Sequence, residues 1–477
     1  MVAIPYFNLL FLGLVGLAST AFLGRTRPRG AAWVGGMGHL VLAGLTGAVP
    51  HEGVLRLAPT GVLTVDATVD FRVGGLVFRL LQINQPLAAL ILGVTGVALV
   101  LMALSPTVDV SFTVWAPILA GAMVFLALLD TAPLEPALLY PLGLSGVLVL
   151  AAFGLQGNRV GNVQGPLRIL VLPLLAAPFF LLAAWYVEQL SLTPQVQEMA
   201  VAAGYLWTLG LLVLLAPVPL HGSQSGLLAW VWSIPGTWLL LTYQLAVVSL
   251  FYQGETAFLF LLEVSTPLKL WLAVLGMVTA IWAGIAATGT GHPGRLVGYA
   301  LLYEWGLILL VMATPGPQSW PLVVFLLVSR AVSGFVAALG LANLELGPGA
   351  RDEHLDGIGS RRPWSSAAVL MGGLGLAGFP LTAGFTGHWA ALQSLATQDW
   401  RIAAVVLIAG AGVVFGFVRL ARRLFSGQPA VPGWAVAREP LRASVVAGAA
   451  LVIAGSLALA PQLLSTPLAW ALTAFGY

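Results

Sequence analysis

From its first residues almost to its last, the chain alternates between apolar runs and short polar connectors. A helix needs about 20 apolar residues to cross the hydrocarbon core of a bilayer, and the pattern predicts fourteen such helices. They fall near 5–24, 31–49, 84–104, 113–130, 134–155, 168–188, 197–218, 227–252, 268–288, 295–313, 320–343, 365–396, 401–424 and 443–461. The tail from Pro461 to Tyr477 is too short after its prolines to predict a fifteenth. The first run lacks a basic leader and a small-residue cleavage site before Arg25, so it reads as a retained helix and not a signal peptide. Two connectors stand out. His51 to Phe71 alternates apolar and polar residues and predicts a short β-hairpin. Asn343 to Arg362 gathers Arg351, Asp352, Glu353, His354 and Asp356 and reads as a solvated loop.

Two apolar runs are interrupted from within. One breaks at Ala216-Pro217-Val218-Pro219-Leu220-His221, the other at Gly378-Phe379-Pro380, with His388 just beyond. A break at membrane depth exposes backbone groups that lipid cannot satisfy, so it is tolerated only inside protein or beside water. Paired breaks in corresponding halves are the pointer to an inverted-repeat transporter core. Residues 113–252 and 268–424 each hold five predicted helices, an odd number that inverts the second set against the first, and the fourth of each carries the break. The expected organisation is an N-terminal three-helix unit with an outer hairpin (1–112), a first repeat (113–252), a second repeat (253–424) and a C-terminal helix with its tail (425–477). The fold class is all-α and polytopic.

Composition agrees. Of 477 residues 59% are hydrophobic and 8% charged, with a mean hydropathy of +0.97, where a soluble domain carries about a quarter charged. There is no cysteine, which excludes disulfides and thiolate-held metal or iron–sulfur clusters. The pI near 9.4 does not indicate nucleic-acid binding, because the basic residues are scattered and form no stripe. They do report orientation. With the N-terminus outside, the inner connectors hold 14 arginines, whereas the outer side keeps Arg56, Arg72, Arg79, Arg401 and Lys269. Lys269 is the single lysine among the 20 Lys and Arg residues. Lysine shifts its charge readily on burial and arginine does not, so little material exists for a lysine-based proton relay.

Several segments together resemble one family. Gly375 to Trp389 (GLAGFPLTAGFTGHW) resembles the LAGxPPxxGFxGK signature of the antiporter-like membrane subunits of respiratory complex I, a family shared with multisubunit cation/proton antiporters and complex I-like hydrogenases. Leu355 to Pro363 (LDGIGSRRP) is similar to its LxDLxGLxRRxP loop, and Arg295 to Gly306 to its KRLLAYSSIxxxG helix. Pro219-Leu220-His221 is similar to its PFHxW turn, and Phe71 to Leu76 to the FRLDGL segment leading into its third helix. The resemblance implies proton translocation along a central polar axis by one glutamate and several buried lysines. It also implies NADH, flavin, iron–sulfur clusters and quinone in partner subunits, a bacterial-type inner membrane, and assembly with other membrane-arm subunits. Carried over by position, its lysines fall at Leu214, Gln244 (or its neighbour), Gly294 and His388; its glutamate falls near Leu139 to Pro141, with Glu135 the nearest acid.

Proton relays through low dielectric need groups that exchange protons near neutral pH. His388 qualifies. Glu304, mid-helix, is a functional candidate as an intramembrane acid, or it pairs with Arg330 on the neighbouring span to hold helices together. Gln244 can order water. His221 and His292, at inner helix ends, serve as relay members or as caps, and Glu135 as a relay member or a favourable charge on a helix dipole. The broken-helix positions are Pro219, Gly378 and Pro380. No phosphate loop, HExxH or nucleophile elbow occurs, so no catalytic residue, bound cofactor or metal is expected in this chain. The functional expectation is an antiporter-like subunit of a complex I-type NADH-quinone oxidoreductase. The alternatives are a structural, non-pumping subunit, or an ion-coupled module of a cation/proton antiporter or inorganic-carbon uptake system. The cysteine-free background makes the orientation testable: Thr26→Cys is expected to react with an impermeant maleimide only from the inner side of membrane vesicles, and Thr68→Cys only from the outer side.

Overall fold

The computed structural model describes residues 2–50, 53–56, 63–131, 134–155, 164–192, 197–257, 268–315, 319–344, 355–426 and 438–465. In chain order the helices are α1 (Tyr6–Gly24), α2 (Pro28–Ala48), α3 (Gln85–Leu104), α4 (Val110–Leu128), α5 (Leu134–Gly154), α6 (Gln164–Leu192), α7 (Gln197–Leu215), α8 (Gly222–Ser225), α9 (Leu227–Trp230) and α10 (Ser233–Ala257). There follow α11 (Leu268–Gly289), α12 (Pro293–Ala313), α13 (Ser319–Leu344), α14 (Pro363–Leu376), α15 (Phe385–Gln398), α16 (Trp400–Leu424) and α17 (Leu441–Leu459). Each of the fourteen apolar intervals holds helix. Among the described residues twelve helices are long and apolar enough to cross a membrane. The α5 helix adds a shorter apolar stretch, Leu139–Gly154, and α14 and α15, 14 residues each, are the halves of the second interrupted run.

Burial separates the helices into an inner and an outer set. The most apolar 18 residues of α10 are 100% buried and those of α12 94%, whereas those of α17 are 17% buried. Lipid cannot drive helices together as water does, so small residues that admit close backbone contact take over. A Cβ built on Gly276 of α11 would stand 3.0 Å from the Gly306 carbonyl oxygen of α12, and one on Gly306 would stand 2.7 Å from the Ala280 nitrogen. The same device joins α13 to α14, where Gly340 lies against the backbone of Ser365 and Val369.

The connectors are tied to helix ends. Arg442 donates to the carbonyls of Ala103 and Leu104 at 2.5 and 2.8 Å, and Arg29 to that of Pro106 at 2.8 Å, meeting the negative end of α3 with positive charge. Glu439 caps α14: its carboxylate accepts from the backbone nitrogens of Trp364 and Ser365 at 3.1 and 2.9 Å. Of the charged loop, residues 345–354 lie outside the described residues, and Ile358–Ser360 forms one 3-10 turn.

On the other face β2 (Val54–Arg56) and β3 (Leu63–Asp66) pair antiparallel, as the alternation of His51 to Phe71 predicts, with the N-terminal strand β1 (Val2–Pro5) parallel to β3. Residues 51–52 and 57–62 of that segment lie outside the described residues. Phe71 to Leu76, read from resemblance as leading into the third helix, instead builds a second hairpin. Strands β4 (Phe71–Val73) and β5 (Leu76–Phe78) turn through Gly74 and Gly75, at φ 58° and 84°, and α3 begins only at Gln85. Positive φ at two consecutive residues suits this hairpin turn and needs glycine. Gly306→Leu is expected to push α11 and α12 apart and to lower stability by about 1–3 kcal/mol; thermal unfolding of the purified protein in detergent checks this.

Candidate functional site

Both sequence-predicted breaks are present. At the first, α7 ends at Leu215, Ala216 takes φ 47°, and two one-turn helices, α8 and α9, intervene before α10 begins. Interruption frees the last carbonyls of α7, and side chains from three other elements take them up. Tyr243 Oη donates to the Leu214 carbonyl at 2.8 Å, while Trp305 Nε1 and Gln224 Nε2 donate to that of Leu215 at 2.8 and 3.3 Å. The Val218 nitrogen donates to Thr279 Oγ1 at 3.0 Å. At the second break Gly378 (φ 69°) and Leu381 (φ 65°) separate α14 from α15. The His388 ring packs directly on Gly378, where any side chain would collide with it.

Between the breaks runs a buried polar chain. Arg330 Nη2 on α13 donates to Gln244 Oε1 on α10 at 2.9 Å, and Gln244 Nε2 donates to Gln224 Oε1 on α8 at 3.0 Å. Through Gln224 the chain reaches the Leu215 carbonyl. The other arm of Arg330 donates to the Leu301 carbonyl at 2.5 Å and lies 3.7 Å from Glu304 Oε2, with both side chains 0% exposed. The Trp305 ring lies under the guanidinium, 5.7 Å from Cζ to centroid. Among the described residues no group hydrogen-bonds either carboxylate oxygen of Glu304, so its contact with Arg330 is a charge contact without the bidentate geometry that makes such pairs rigid. His388 completes the set: its ring stacks on Tyr303 at 6.0 Å and 17°, Nδ1 is 3.0 Å from the Gly384 carbonyl oxygen, and Nε2 is buried without a hydrogen-bond partner.

The remaining candidates lie elsewhere. His221 Nε2 accepts from Trp282 Nε1 at 2.7 Å. His292 caps α12, its Nδ1 accepting from the nitrogens of Gly294 and Arg295 at 3.1 and 3.4 Å. The Glu135 side chain lies outside the described residues, in the first turn of α5. Of the lysine positions carried over by resemblance, Leu214 is fully buried. Gly294 packs against the Leu228 carbonyl with no space for a side chain. Among the described residues no group of three or more His, Cys, Asp or Glu could hold a metal ion. Sequence reasoning missed Gln224, Trp305 and Tyr303. The first could have been suspected as a glutamine inside a membrane break; the two aromatics carry no such signal among 16 tryptophans and 9 tyrosines.

A sequence profile described as NADH:quinone oxidoreductase/Mrp antiporter, TM (transmembrane), matches residues 137–415, which include both breaks and all of Gln224, Gln244, Glu304, Arg330 and His388. The chain belongs to that family. It is 27% identical to NADH-quinone oxidoreductase subunit N of Mycobacterium sp. over 94% of both chains. It is 28% identical to formate hydrogenlyase subunit 3 of Escherichia coli, over 83% of this chain and 65% of that one. Against subunit N of Rhodopseudomonas palustris the match, 26% identical, spans 37% of that protein. The fold is that of a chain in respiratory complex I from Thermus thermophilus (TM-score 0.75, 16% identity, 98% of both chains) and of one in the Mrp complex from Dietzia (TM-score 0.73, 17% identity, 98% and 96%).

Removing one member of a buried ion pair strands the other, at a cost of about 3–5 kcal/mol, whereas replacing both costs much less. Arg330→Met is therefore expected to destabilise strongly and Glu304→Leu with Arg330→Met to recover most of the loss; a double-mutant cycle on thermal stability checks the coupling.

Proposed function

We propose that this chain is an antiporter-like membrane-arm subunit of a complex I-type NADH-quinone oxidoreductase that contributes to proton translocation. The observation that carries this reading is the chain Gln224–Gln244–Arg330–Glu304 with His388 at the second break, all of them buried side chains. Glu304 and His388 are the groups that can take up and release protons. Arg330 and Gln244 position Glu304, and Trp305 fixes Arg330. Glutamate in a water-poor interior exchanges its proton when a nearby charge moves, and the 3.7 Å gap to Arg330 leaves room for that movement. Electron transfer belongs to partner subunits holding NADH, flavin, iron–sulfur clusters and quinone, in a bacterial-type inner membrane with the N-terminus outside. Residues 113–252 and 253–424 act as two inverted five-helix units, each with its break in the fourth helix, between an N-terminal unit (1–112) and a C-terminal helix and tail (425–477). His221 and His292 serve as caps and turn anchors in this scheme.

A second reading, a non-pumping structural subunit, is favoured by the closure of the Gly294 site against Leu228 and by an amide at Gln244. Variants decide between them. With Glu304→Gln and His388→Ala in the assembled complex, the ratio of protons moved to electrons transferred is expected to fall while electron transfer continues. An unchanged ratio supports the structural reading.

A further inference from the structure

A hydroxyl on a buried helix has a ready partner in the carbonyl one turn back. Thr46, Thr95, Thr242 and Thr279 use it, donating to Leu42, Ile91, Trp238 and Leu275 at 2.6–2.9 Å. Ser233, Thr237 and Ser333 do not: their hydroxyl oxygens are buried with no hydrogen-bond partner among the described residues. These three are ordered in space. Ser233, Thr237 and Gln244 stand at i, i+4 and i+11 on α10, within about 40° of one another at 100° per residue. A Cβ built on Gly334, one turn past Arg330, would lie 3.4 Å from Thr237 Cγ2, so Thr237 abuts the turn that carries the guanidinium. Ser333, on the far side of this row, lies against Gly375, near the second break.

The other end of this row, at the buried Ser233, lies next to a cavity lined by its neighbours in sequence. Trp232, Ile234 and Pro235, the neighbours of Ser233, join Ser105 and Asp109 in lining a cavity of about 40 Å³ at the arginine-rich end of the bundle, enough to hold water. Asp109 Oδ1 caps α4, accepting from the Phe112 nitrogen at 3.2 Å, but Oδ2 is buried with no hydrogen-bond partner among the described residues. Burial also pushes this carboxyl above the ordinary carboxylate range.

We propose that Asp109 is the loading carboxylate of a hydrated inlet running from the arginine-rich face past Ser233 and Thr237 to Arg330 and Glu304. This rests on the proton-translocating reading above. Buried polar groups in native proteins find partners in protein or in ordered water, and two hydroxyls one turn apart, Ser233 and Thr237, with no partner among the described residues call for bridging water. Each hydroxyl both accepts and donates. A proton taken from bulk water onto Asp109 Oδ2 moves inward by making one O–H bond and breaking another at each oxygen, with no other bond changed.

Asparagine caps a helix about as well as aspartate, so Asp109→Asn removes the acid and keeps the cap. Thr237→Val removes the hydroxyl and keeps the shape, and Thr237→Ser restores it. The native complex carrying each variant is reconstituted into liposomes, and proton uptake per electron is read with a pH dye. Asp109→Asn and Thr237→Val are expected to lower the ratio several-fold with unchanged thermal stability, and Thr237→Ser to keep it. A wild-type ratio for Asp109→Asn overturns the assignment if Glu304→Gln lowers it, because the inlet then lies elsewhere. A wild-type ratio for Glu304→Gln as well overturns the translocation reading itself. If Asp109→Asn does not assemble, Thr237→Val decides by the same readout: a lowered ratio supports the inlet and a wild-type one overturns it.

Discussion

Hydrocarbon offers no hydrogen bonds, so every break in a spanning helix must be answered by the protein itself. The end of α7 shows how strictly. The Leu214 and Leu215 carbonyls freed there are taken up by Tyr243, Trp305 and Gln224 from three different elements. Those elements must therefore converge, and their convergence brings Gln224, Gln244 and Glu304 together around Arg330, which enters from α13. The break and the buried charge are thus not separate features. The groups that repair the first also set the surroundings of the second.

Shielding follows the same logic at the level of whole helices. The most apolar stretch of α10 is wholly buried and that of α12 nearly so, which lets them carry Gln244, Thr237 and Glu304 without meeting lipid. The outer helix α17 has its only charged residue, Arg442, at its start. Small residues bring α11 to backbone contact with α12 and α14 to backbone contact with α13, packing neighbours closely on the two helices that carry Glu304 and Arg330.

Most of the architecture is legible in the residues, because its signals are long. Twenty-residue apolar runs, prolines in pairs and arginines on one side each leave a pattern that one sequence displays. The breaks at Pro219 and Pro380 were visible for that reason, and Glu304 and Arg330 were visible as charges out of place. What lies between was not legible. Gln224 meets Gln244 across 20 residues and Arg330 meets Gln244 across 86, distances in sequence over which periodicity carries no information. The second hairpin was obscured differently: its Gly74-Gly75 turn dictates the backbone, whereas resemblance placed the segment at a helix start.

The amide chain from Arg330 to the first break has a direction. The guanidinium donates to Gln244, Gln244 to Gln224, and Gln224 to the Leu215 carbonyl. A primary amide does not change protonation near neutral pH, and turning this file around would require both amides to rotate together. Electrically the segment behaves as an insulator. It holds a positive charge in place, with no titratable side chain along the hydrogen-bonded path from Arg330 to the first break.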